Sequence, residues 1–201
     1  MTPLSPTKIL TRAEAKAILE SVEPTCITKL QKRAMLETLY RAGLREIELV
    51  NLRRSQVEWP CEDNGGHCVL HLVRTKGNRP RSVPVPDALH EWLARWRLAD
   101  ENWKSEMDRE SAYFFHPILR NWERSYSTQT IRNILVPICE DAIGRHVNLH
   151  MLRHTYATNC AEAGVPVPGL QRLLGHRDVA TTMVYVDVRG EVLAEQVRGL
   201  T

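Results

Sequence analysis

The chain has 201 residues, of which 43% are hydrophobic and 25% charged, and its formal net charge is +3. This composition excludes a disordered or fibrous protein. The length suffices for one or at most two domains whose core needs no disulfide or structural metal. No run approaches the ~20 apolar residues of a membrane span, and the first ten residues lack a signal core. The weak positive charge permits a nucleic-acid partner without requiring one.

The cysteines are five in number, are scattered and contain no C-x-x-C pair. This pattern argues against a disulfide framework and against a zinc cage, so we expect reduced thiols. With no apolar run that could enter a membrane, the sequence predicts a soluble protein of the cytoplasm.

The first helices can be placed from their capping residues. Residues 1–10 contain two prolines and no periodic pattern, which predicts a tail or a severed linker. Thr11 and Glu14 form a capping box, so a helix is expected to begin there and to run to about residue 22. A second helix is predicted from about residue 27 to residue 42, with Gly43 as its C-terminal cap.

The hydrophobic period changes in the next part of the chain. Residues 44–53 form a short helical pattern that offers three side chains to the core, those of Leu44, Ile47 and Val50. Three β-type runs follow at residues 56–59, 68–74 and 81–85. Turn sequences rich in Asn and Gly separate these runs. We therefore predict a small three-stranded antiparallel sheet.

The remainder of the chain is predicted to be mainly helical. Asp87 can cap a helix to about residue 98, whose Trp92 and Trp96 share a face, while the polar residues 100–111 are expected to form a loop. Further helices are predicted near residues 128–143, 151–163, 167–174, 179–187 and 190–199. The predicted fold class is α+β, mainly α.

Several polar residues lie where structure alone would not require them. Arg45 and Glu48 are three residues apart at the start of the short third helix, a spacing that is also common for exposed ion pairs of little consequence. Lys76 lies in a turn beside Gly77, where a solvated lysine is the ordinary interpretation. Tyr185, among apolar neighbours, would ordinarily be a core residue with its hydroxyl at the surface.

Two histidines and an arginine occupy helix ends. His150 and Arg153 are one turn apart at the start of an apolar helix, where backbone N–H groups favour an anion. His150 and His154 have the spacing of a zinc-binding helix, but Met151 stands where the catalytic glutamate would be needed, so no metal site is predicted. His176 follows the glycine that ends the next helix, nine residues before Tyr185.

The order and spacing of these motifs resemble the catalytic domain of the tyrosine recombinase, or phage integrase, family. The resemblance extends from about residue 11 to residue 188 and rests on Gly43-Leu-Arg45-Glu-Ile-Glu48, Thr75-Lys76-Gly, His150-x-x-Arg153-His-Thr, Leu174-Gly-His176 and Tyr185. It implies site-specific cleavage and rejoining of double-stranded DNA through a 3′-phosphotyrosine, with no cofactor. Met151 departs from the aspartate that many members have there.

The resemblance assigns the site residue by residue, and chemistry suggests the roles. Tyr185 is the nucleophile, and His150 is the candidate for the base that takes its proton, because a phenol is a poor nucleophile at neutral pH. Two arginines, Arg45 and Arg153, would hold the phosphate oxygens in the transition state. The remaining assignments are Lys76 as general acid, His176 as a hydrogen-bond partner of the phosphate and Glu48 as a supporting residue.

The same resemblance raises questions that the sequence leaves open. Family members usually carry an N-terminal DNA-clamping domain, so the chain is either a catalytic fragment or a naturally short enzyme similar to the fimbrial-switch recombinases. Residues 189–201 are predicted to hold a short amphipathic helix, which either caps its own domain or docks on a neighbouring protomer of a tetramer on paired DNA sites. The alternative functions are a catalytically silent DNA-binding accessory protein and a type IB topoisomerase-like enzyme.

Overall fold

The computed structural model describes residues 9–62, 65–73, 80–107 and 109–185. Lys76, residues 1–8 and the predicted C-terminal helix at 190–199 lie outside the described residues. Within these ranges the helices are α1 (Arg12–Glu20), α2 (Ile27–Ala42), α3 (Glu46–Val50), α4 (Asp87–Met107), α5 (Thr128–Ile143), α6 (Leu149–Glu162), α7 (Val167–Leu174) and α8 (Ala180–Met183). The strands are β1 (Val57–Glu58), β2 (Cys68–Leu72) and β3 (Arg81–Val85).

The predicted start of α1 is confirmed by its capping box. The Thr11 hydroxyl accepts a hydrogen bond from the Glu14 amide at 3.1 Å, and the Glu14 carboxylate accepts one from the Thr11 amide at 2.8 Å. Leu10, at the end of the segment predicted as a tail, is buried, and its amide donates to the Thr155 hydroxyl at 2.9 Å. The packed structure therefore begins at least one residue before the cap.

The predicted three-stranded antiparallel sheet is confirmed, with strand order β1-β2-β3. β2 pairs with β3 in a register that aligns Cys68 with Val85 and Leu72 with Arg81. Burial alternates along β2, as expected for a sheet with one face on the core. The buried face of the sheet packs against the helices. Arg81, the first residue of β3, lies on this face and consequently points toward the interior.

Helix α2 is the centre of the fold and packs between α4 and α6. It is buried on more than one side because helices and sheet surround it. Even its polar residues Gln31 and Glu37 are almost fully buried. The helix ends at Gly43, whose φ of +60° reverses the chain toward α3. The end of α2 is thereby fixed beside the start of α3.

Two expectations about helices are wrong. Helix α4 runs to Met107, so much of the segment predicted as the loop 100–111 is helical. A buried polar contact stabilises this extension, since the Asp100 carboxylate lies 2.8 Å from His116 Nε2 and both side chains are fully buried. In addition, Ile47 is 43% exposed, because α3 is only five residues long and its core-facing positions are those of Leu49 and Val50.

Within the described residues, the core has two parts. The larger one unites the sheet with α1 to α6, and the smaller one lies between α6 and α7. The smaller cluster consists of Ala157, Ala161, Leu170, Leu174 and Tyr185. It packs α7 and the segment after α8 onto the C-terminal half of α6. No helix in the described ranges is long and apolar enough to cross a membrane.

Candidate active site

The described members of the predicted site come together where α3, β3, α6 and α7 meet. Arg45 and Glu48 are contributed by α3 and the residue before it, and Arg153 by α6. His176 follows α7, and Tyr185 follows α8. The position of Lys76 is not described, but β3 enters the same site through its first residue, Arg81.

Glu48 is the acidic centre of this site. Its side chain is only 3% exposed, and its carboxylate accepts hydrogen bonds from the Arg45 amide at 2.8 Å and from Arg45 Nη1 at 3.1 Å. Burial favours the neutral acid, but the hydrogen bonds and charge of Arg81 outweigh it and lower the pKa of Glu48 below its usual value. The interpretation of Arg45 and Glu48 as an exposed ion pair is therefore wrong.

Arg81 is a component of the site that the sequence analysis missed. Its Nη1 and Nη2 atoms donate to the two Glu48 oxygens at 2.7 and 2.8 Å, and its Nε donates to the Leu173 carbonyl at 2.7 Å. A signal was present, because strand alternation places Arg81 on the same face as the buried residues Val83 and Val85. A charged residue on the buried face of a strand indicates a specific partner.

Arg153 is almost completely buried, with 1% of its side chain exposed. It donates hydrogen bonds to the carbonyl of Gly43 and to that of Leu174. Burial, followed by the nearby charge of Arg45, lowers the pKa of Arg153 to about 9, so the guanidinium remains a cation at neutral pH. This arginine thus joins the end of α2 to the end of α7.

Three arginines from different parts of the chain converge on the C-terminal end of α7. They donate to three consecutive carbonyl groups: Arg81 to Leu173, Arg153 to Leu174 and Arg45 to Gly175. The carbonyls of the last turn have no partner within a helix and carry partial negative charge, so cations stabilise them. With Glu48 as the one carboxylate in these ion pairs, the cluster keeps an excess of two positive charges. It can therefore bind an anion such as a phosphodiester.

His176 lies beside this cluster. Its Nδ1 is 3.0 Å from the Thr182 hydroxyl, and its ring lies nearly parallel to that of Tyr185 at 6.4 Å. Burial, and then the charges of Arg153 and Arg45, lower the pKa of His176 to about 4. At neutral pH the ring is consequently neutral and can donate or accept a hydrogen bond.

His150 stands at the exposed edge of the site. Partial desolvation, followed by the charges of Arg153 and Arg45, lowers the pKa of His150 below its usual value. Its ring contacts that of His154 edge to face, with the centroids 4.4 Å apart. The two rings thus form one pair on the side of α6 that faces the tyrosine.

Tyr185 is buried, with 3% of the residue exposed, and its hydroxyl points into the site. The oxygen lies 2.6 Å from His154 Nδ1. Burial raises the pKa of Tyr185, while the charges of Arg153 and Arg45 oppose this effect. The ordinary interpretation, a core tyrosine with its hydroxyl at the surface, is wrong on this last point.

Sequence spacing suggests a role for His154 only as a possible metal ligand. Across the described ranges, the structure shows no group of three or more His, Cys, Asp or Glu side chains that could hold a metal ion. The spacing of four residues from His150 does place both rings on one face of α6, and that spacing was the available signal. It indicated a shared site without indicating which partner the rings would have.

Comparisons with known proteins show the family of the chain. The model of the Phage integrase family matches residues 8–191. The tyrosine recombinase XerA of Thermococcus onnurineus is 35% identical over 192 residues, which are 95% of this chain and 62% of the relative. Tyrosine recombinase XerD of Halalkalibacterium halodurans is 29% identical over 188 residues, covering 90% of this chain and 57% of the relative. The chain thus spans about three fifths of the length of these curated relatives.

Solved structures show the same fold. A crystal structure of XerA recombinase superposes with a TM-score of 0.74 and 26% identity, over 98% of this chain and 66% of that one. XerH site-specific recombinase, bound to its difH substrate in a pre-cleavage complex, has a TM-score of 0.73 and 20% identity over 91% of this chain and 50% of that one. The second similarity concerns the fold alone.

Proposed function

The chain belongs to the phage integrase family, and on this premise we propose that it is the catalytic part of a site-specific DNA recombinase. It would cleave a strand of double-stranded DNA through Tyr185 and rejoin it to another strand. The observation that carries this proposal is a buried tyrosine on which the charges of Arg153 and Arg45 act, members of a cluster with two excess positive charges. A nucleophile next to an anion site is what phosphoryl transfer requires.

The cleavage step uses these groups in sequence. The tyrosine oxygen attacks the phosphorus, a 3′-phosphotyrosyl bond forms, and the bond to the 5′ oxygen breaks. Charge gathers on the non-bridging oxygens, where Arg45 and Arg153 would hold it without changing protonation. His176, neutral and near the cluster, would add a hydrogen bond. The reverse step releases the tyrosine, so the energy of the phosphodiester is conserved.

Two proton transfers accompany the exchange of bonds. The leaving 5′ oxygen needs a proton, and Lys76 remains the predicted donor, since it precedes β3 and its site residue Arg81 along the chain. The tyrosine must lose its proton, and the paired rings of His150 and His154 are both candidates for the acceptor. Glu48 would hold Arg45 in place throughout, because it binds both the backbone and the side chain of that arginine.

Double-stranded DNA is the proposed partner. XerH and a lambda integrase fragment with this fold have been solved bound to DNA, the latter as a dimer on a core site. We further infer that the active form is a tetramer on two paired DNA sites, with the segment 189–201 making contacts between protomers. Integration, excision and inversion are all outcomes that this chemistry can produce.

Covalent capture tests the proposed function. A library of nicked duplexes with randomised arms is incubated with the protein in EDTA, and protein–DNA adducts are separated on a denaturing gel and sequenced. We expect an adduct with wild type and none with Tyr185→Phe. Tyr113→Phe, which changes a tyrosine beside Arg53 and away from the site, serves as the matched control.

The alternatives predict other results. An accessory protein would bind the enriched DNA without forming an adduct, whether EDTA or a divalent metal is present. A topoisomerase-like enzyme would form the adduct and relax a supercoiled plasmid that carries no pair of sites. Exchange of strands between two enriched sites would establish recombination, and its absence in the presence of relaxation would contradict it.

A further inference from the structure

The two ring nitrogens of His176 have different surroundings. Nδ1 lies 3.0 Å from the hydroxyl oxygen of Thr182, a fully buried residue of α8. For Nε2 the structure shows no hydrogen-bond partner among the described residues. The charges of Arg153 and Arg45, two members of the proposed phosphate site, act on this ring. One nitrogen is therefore held by the protein, and the other is available to a ligand.

The Thr182 hydroxyl needs an acceptor for its own hydrogen. A threonine inside a helix often donates to the carbonyl four residues earlier, as Thr38 and Thr155 do at 2.6 and 2.8 Å. Within the described part of the chain, Thr182 makes no such bond, and His176 Nδ1 is the acceptor that the structure shows. A buried hydroxyl without an acceptor would lose the hydrogen bond that it makes to water in the unfolded chain. The hydroxyl therefore donates to Nδ1.

This donation decides where the ring of His176 carries its hydrogen. A neutral imidazole has one N–H donor and one acceptor nitrogen, so Nδ1 can accept a hydrogen bond only if the hydrogen is on Nε2. The ring is neutral at pH 7, because burial and then the charges of Arg153 and Arg45 hold the pKa of His176 at about 4. The available nitrogen is consequently an N–H donor, which suits an anion.

We propose that Thr182 is a positioning residue for strand cleavage, which directs the Nε2–H group of His176 toward a non-bridging oxygen of the scissile phosphate. This inference rests on the proposed function and adds a residue to its site. The hydroxyl acts in two ways. It selects the tautomer of the ring, and it holds the plane of the ring, because a hydrogen bond to Nδ1 opposes rotation of the side chain.

Thr182 also connects the histidine with the proposed nucleophile. Its carbonyl accepts a hydrogen bond from the Tyr185 amide at 3.1 Å, while its hydroxyl donates to His176. The rings of His176 and Tyr185 lie nearly parallel, with centroids 6.4 Å apart and planes inclined at 20°. One buried threonine thus holds both residues through its two polar groups.

The first measurement is single-turnover adduct formation on the nicked duplex enriched by covalent capture. Thr182→Val preserves the shape of the side chain but removes the hydroxyl. We expect it to slow the reaction about 10-fold, the effect of one hydrogen bond. Thr182→Ser restores the hydroxyl and should recover the rate to within about threefold of wild type. DNA affinity should stay within about threefold in both variants, because other phosphate contacts supply most of the binding.

Thr181→Val is the matched control for these variants. Thr181 is the neighbouring residue of the same helix, and its side chain is exposed. The substitution removes the same hydroxyl group without touching His176, so the rate should equal that of wild type.

A second pair of measurements separates positioning from a structural role. A His176→Ala background lacks the ring, so the addition of Thr182→Val should change its rate by less than about twofold. A structural effect of Thr182 would instead slow the reaction in both backgrounds. Nitrogen NMR of the histidine-labelled protein without DNA gives an independent readout. Wild type should show a protonated Nε2 and an Nδ1 that accepts a hydrogen bond, and Thr182→Val should lose the latter.

Several results would overturn the inference while leaving the proposed function intact. They are a Thr182→Val rate within about twofold of wild type, a Thr182→Ser variant as slow as Thr182→Val, and equal losses in the two backgrounds. A hydrogen on Nδ1 of His176 in the wild-type protein at pH 7 would also contradict it. This NMR result decides the question if Thr182→Val fails to fold. Failure of wild type to form any adduct would instead contradict the proposed function.

Discussion

Arg81 and Glu48 face each other through two parallel hydrogen bonds of 2.7 and 2.8 Å, and their side chains are only 5% and 3% exposed. The third donor of Arg81 binds the Leu173 carbonyl at 2.7 Å. One guanidinium therefore connects β3, α3 and α7, the elements that carry or adjoin Arg81, Arg45 and His176. Planar bidentate pairing of this kind depends on the shape of arginine and not only on its charge.

Replacing Arg81 with lysine should therefore destabilise the protein although it preserves the charge. Lysine cannot reproduce the paired hydrogen bonds and cannot also reach the Leu173 carbonyl, so buried Glu48 loses part of its pairing. We expect a loss of about 2 to 4 kcal/mol in the free energy of unfolding, measured by urea denaturation. Arg12→Lys is the control, since its ion pair with Glu162 is long and its side chain 87% exposed. It should change stability by less than about 0.5 kcal/mol, and equal effects of the two variants would refute the argument.

Gly43 should be intolerant of even one additional carbon. A Cβ atom there would overlap the Tyr156 ring, and the residue has a φ of +60°. Its carbonyl also accepts a hydrogen bond from Arg153, so any shift of this turn moves a residue of the proposed phosphate site. We expect Gly43→Ala to cost about 3 kcal/mol or more, as the sum of backbone strain and overpacking.

Gly144 provides the matched comparison for this substitution. Its φ is +70°, but a Cβ atom there would meet nothing within 4 Å. Gly144→Ala should therefore show only the backbone term, about 1 to 2 kcal/mol. Thermal or urea denaturation of both variants tests the difference, and similar losses would show that the Tyr156 contact relaxes freely.

Sequence reasoning anticipated the elements whose signals are local. The capping box at Thr11 depends on residues three apart, and the alternation in β3 depends on residues two apart. These patterns placed α1 and the sheet correctly. The end of α4 could not be found in this way, because it is stabilised by Asp100 against His116, a contact between buried polar groups from separate segments. A polar stretch therefore suggested a loop where the structure has a helix.

The site was predictable to a similar degree. Motif order identified Arg45, Arg153, His176 and Tyr185 as candidates, and the structure brings these residues to one place. The order of the motifs did not indicate Arg81 or His154, because the importance of these two residues depends on which partners the fold supplies. Ile47 shows the same limit, since a helix of five residues has too few positions for the periodic pattern to define its buried face.

Stability should fall as the pH is lowered from about 6.5, because burial and then the charges of the arginine cluster disfavour protonation of His176. The unfolded chain takes up a proton near pH 6.5, whereas burial and the charges of Arg153 and Arg45 hold the pKa of His176 at about 4 in the folded state. Since the unfolded state binds more protons between these values, stability is full above pH 6.5 and is lost toward pH 4.

The contribution of His176 can be isolated by comparing how much the free energy of unfolding decreases with pH in wild type and in His176→Asn. Between pH 7 and pH 5 we expect it to account for about 1 kcal/mol of the decrease in unfolding free energy, with allowance for partial solvent exposure. Urea denaturation at both pH values should show a smaller decrease for His176→Asn than for wild type. Part of the slope should persist in that variant, because the pKa of His150 is lowered as well. Equal decreases for the two proteins would show that neither burial nor the arginine cluster lowers the pKa of His176.

Arg45 and Arg153 should respond differently to replacement by lysine, although both belong to the proposed phosphate site. The Arg45 side chain is 30% exposed and its contact with Gly175 is 3.3 Å, whereas Arg153 is 1% exposed and binds two buried carbonyls. Arg45→Lys should therefore change the free energy of unfolding by less than about 1 kcal/mol, while Arg153→Lys should cost about 3 kcal/mol.

The effect of Arg45→Lys on the rate of adduct formation should be large although its effect on stability is small. Lysine cannot bind two phosphate oxygens in the planar geometry of arginine, so Arg45→Lys should slow adduct formation by about 100- to 1,000-fold while the protein remains folded. Urea denaturation and single-turnover adduct formation on the same preparations test both halves of the prediction. A folded Arg45→Lys variant with nearly wild-type cleavage would place the phosphate away from Arg45. In that case the anion would have to bind without Arg45, and the proposed site geometry would be wrong.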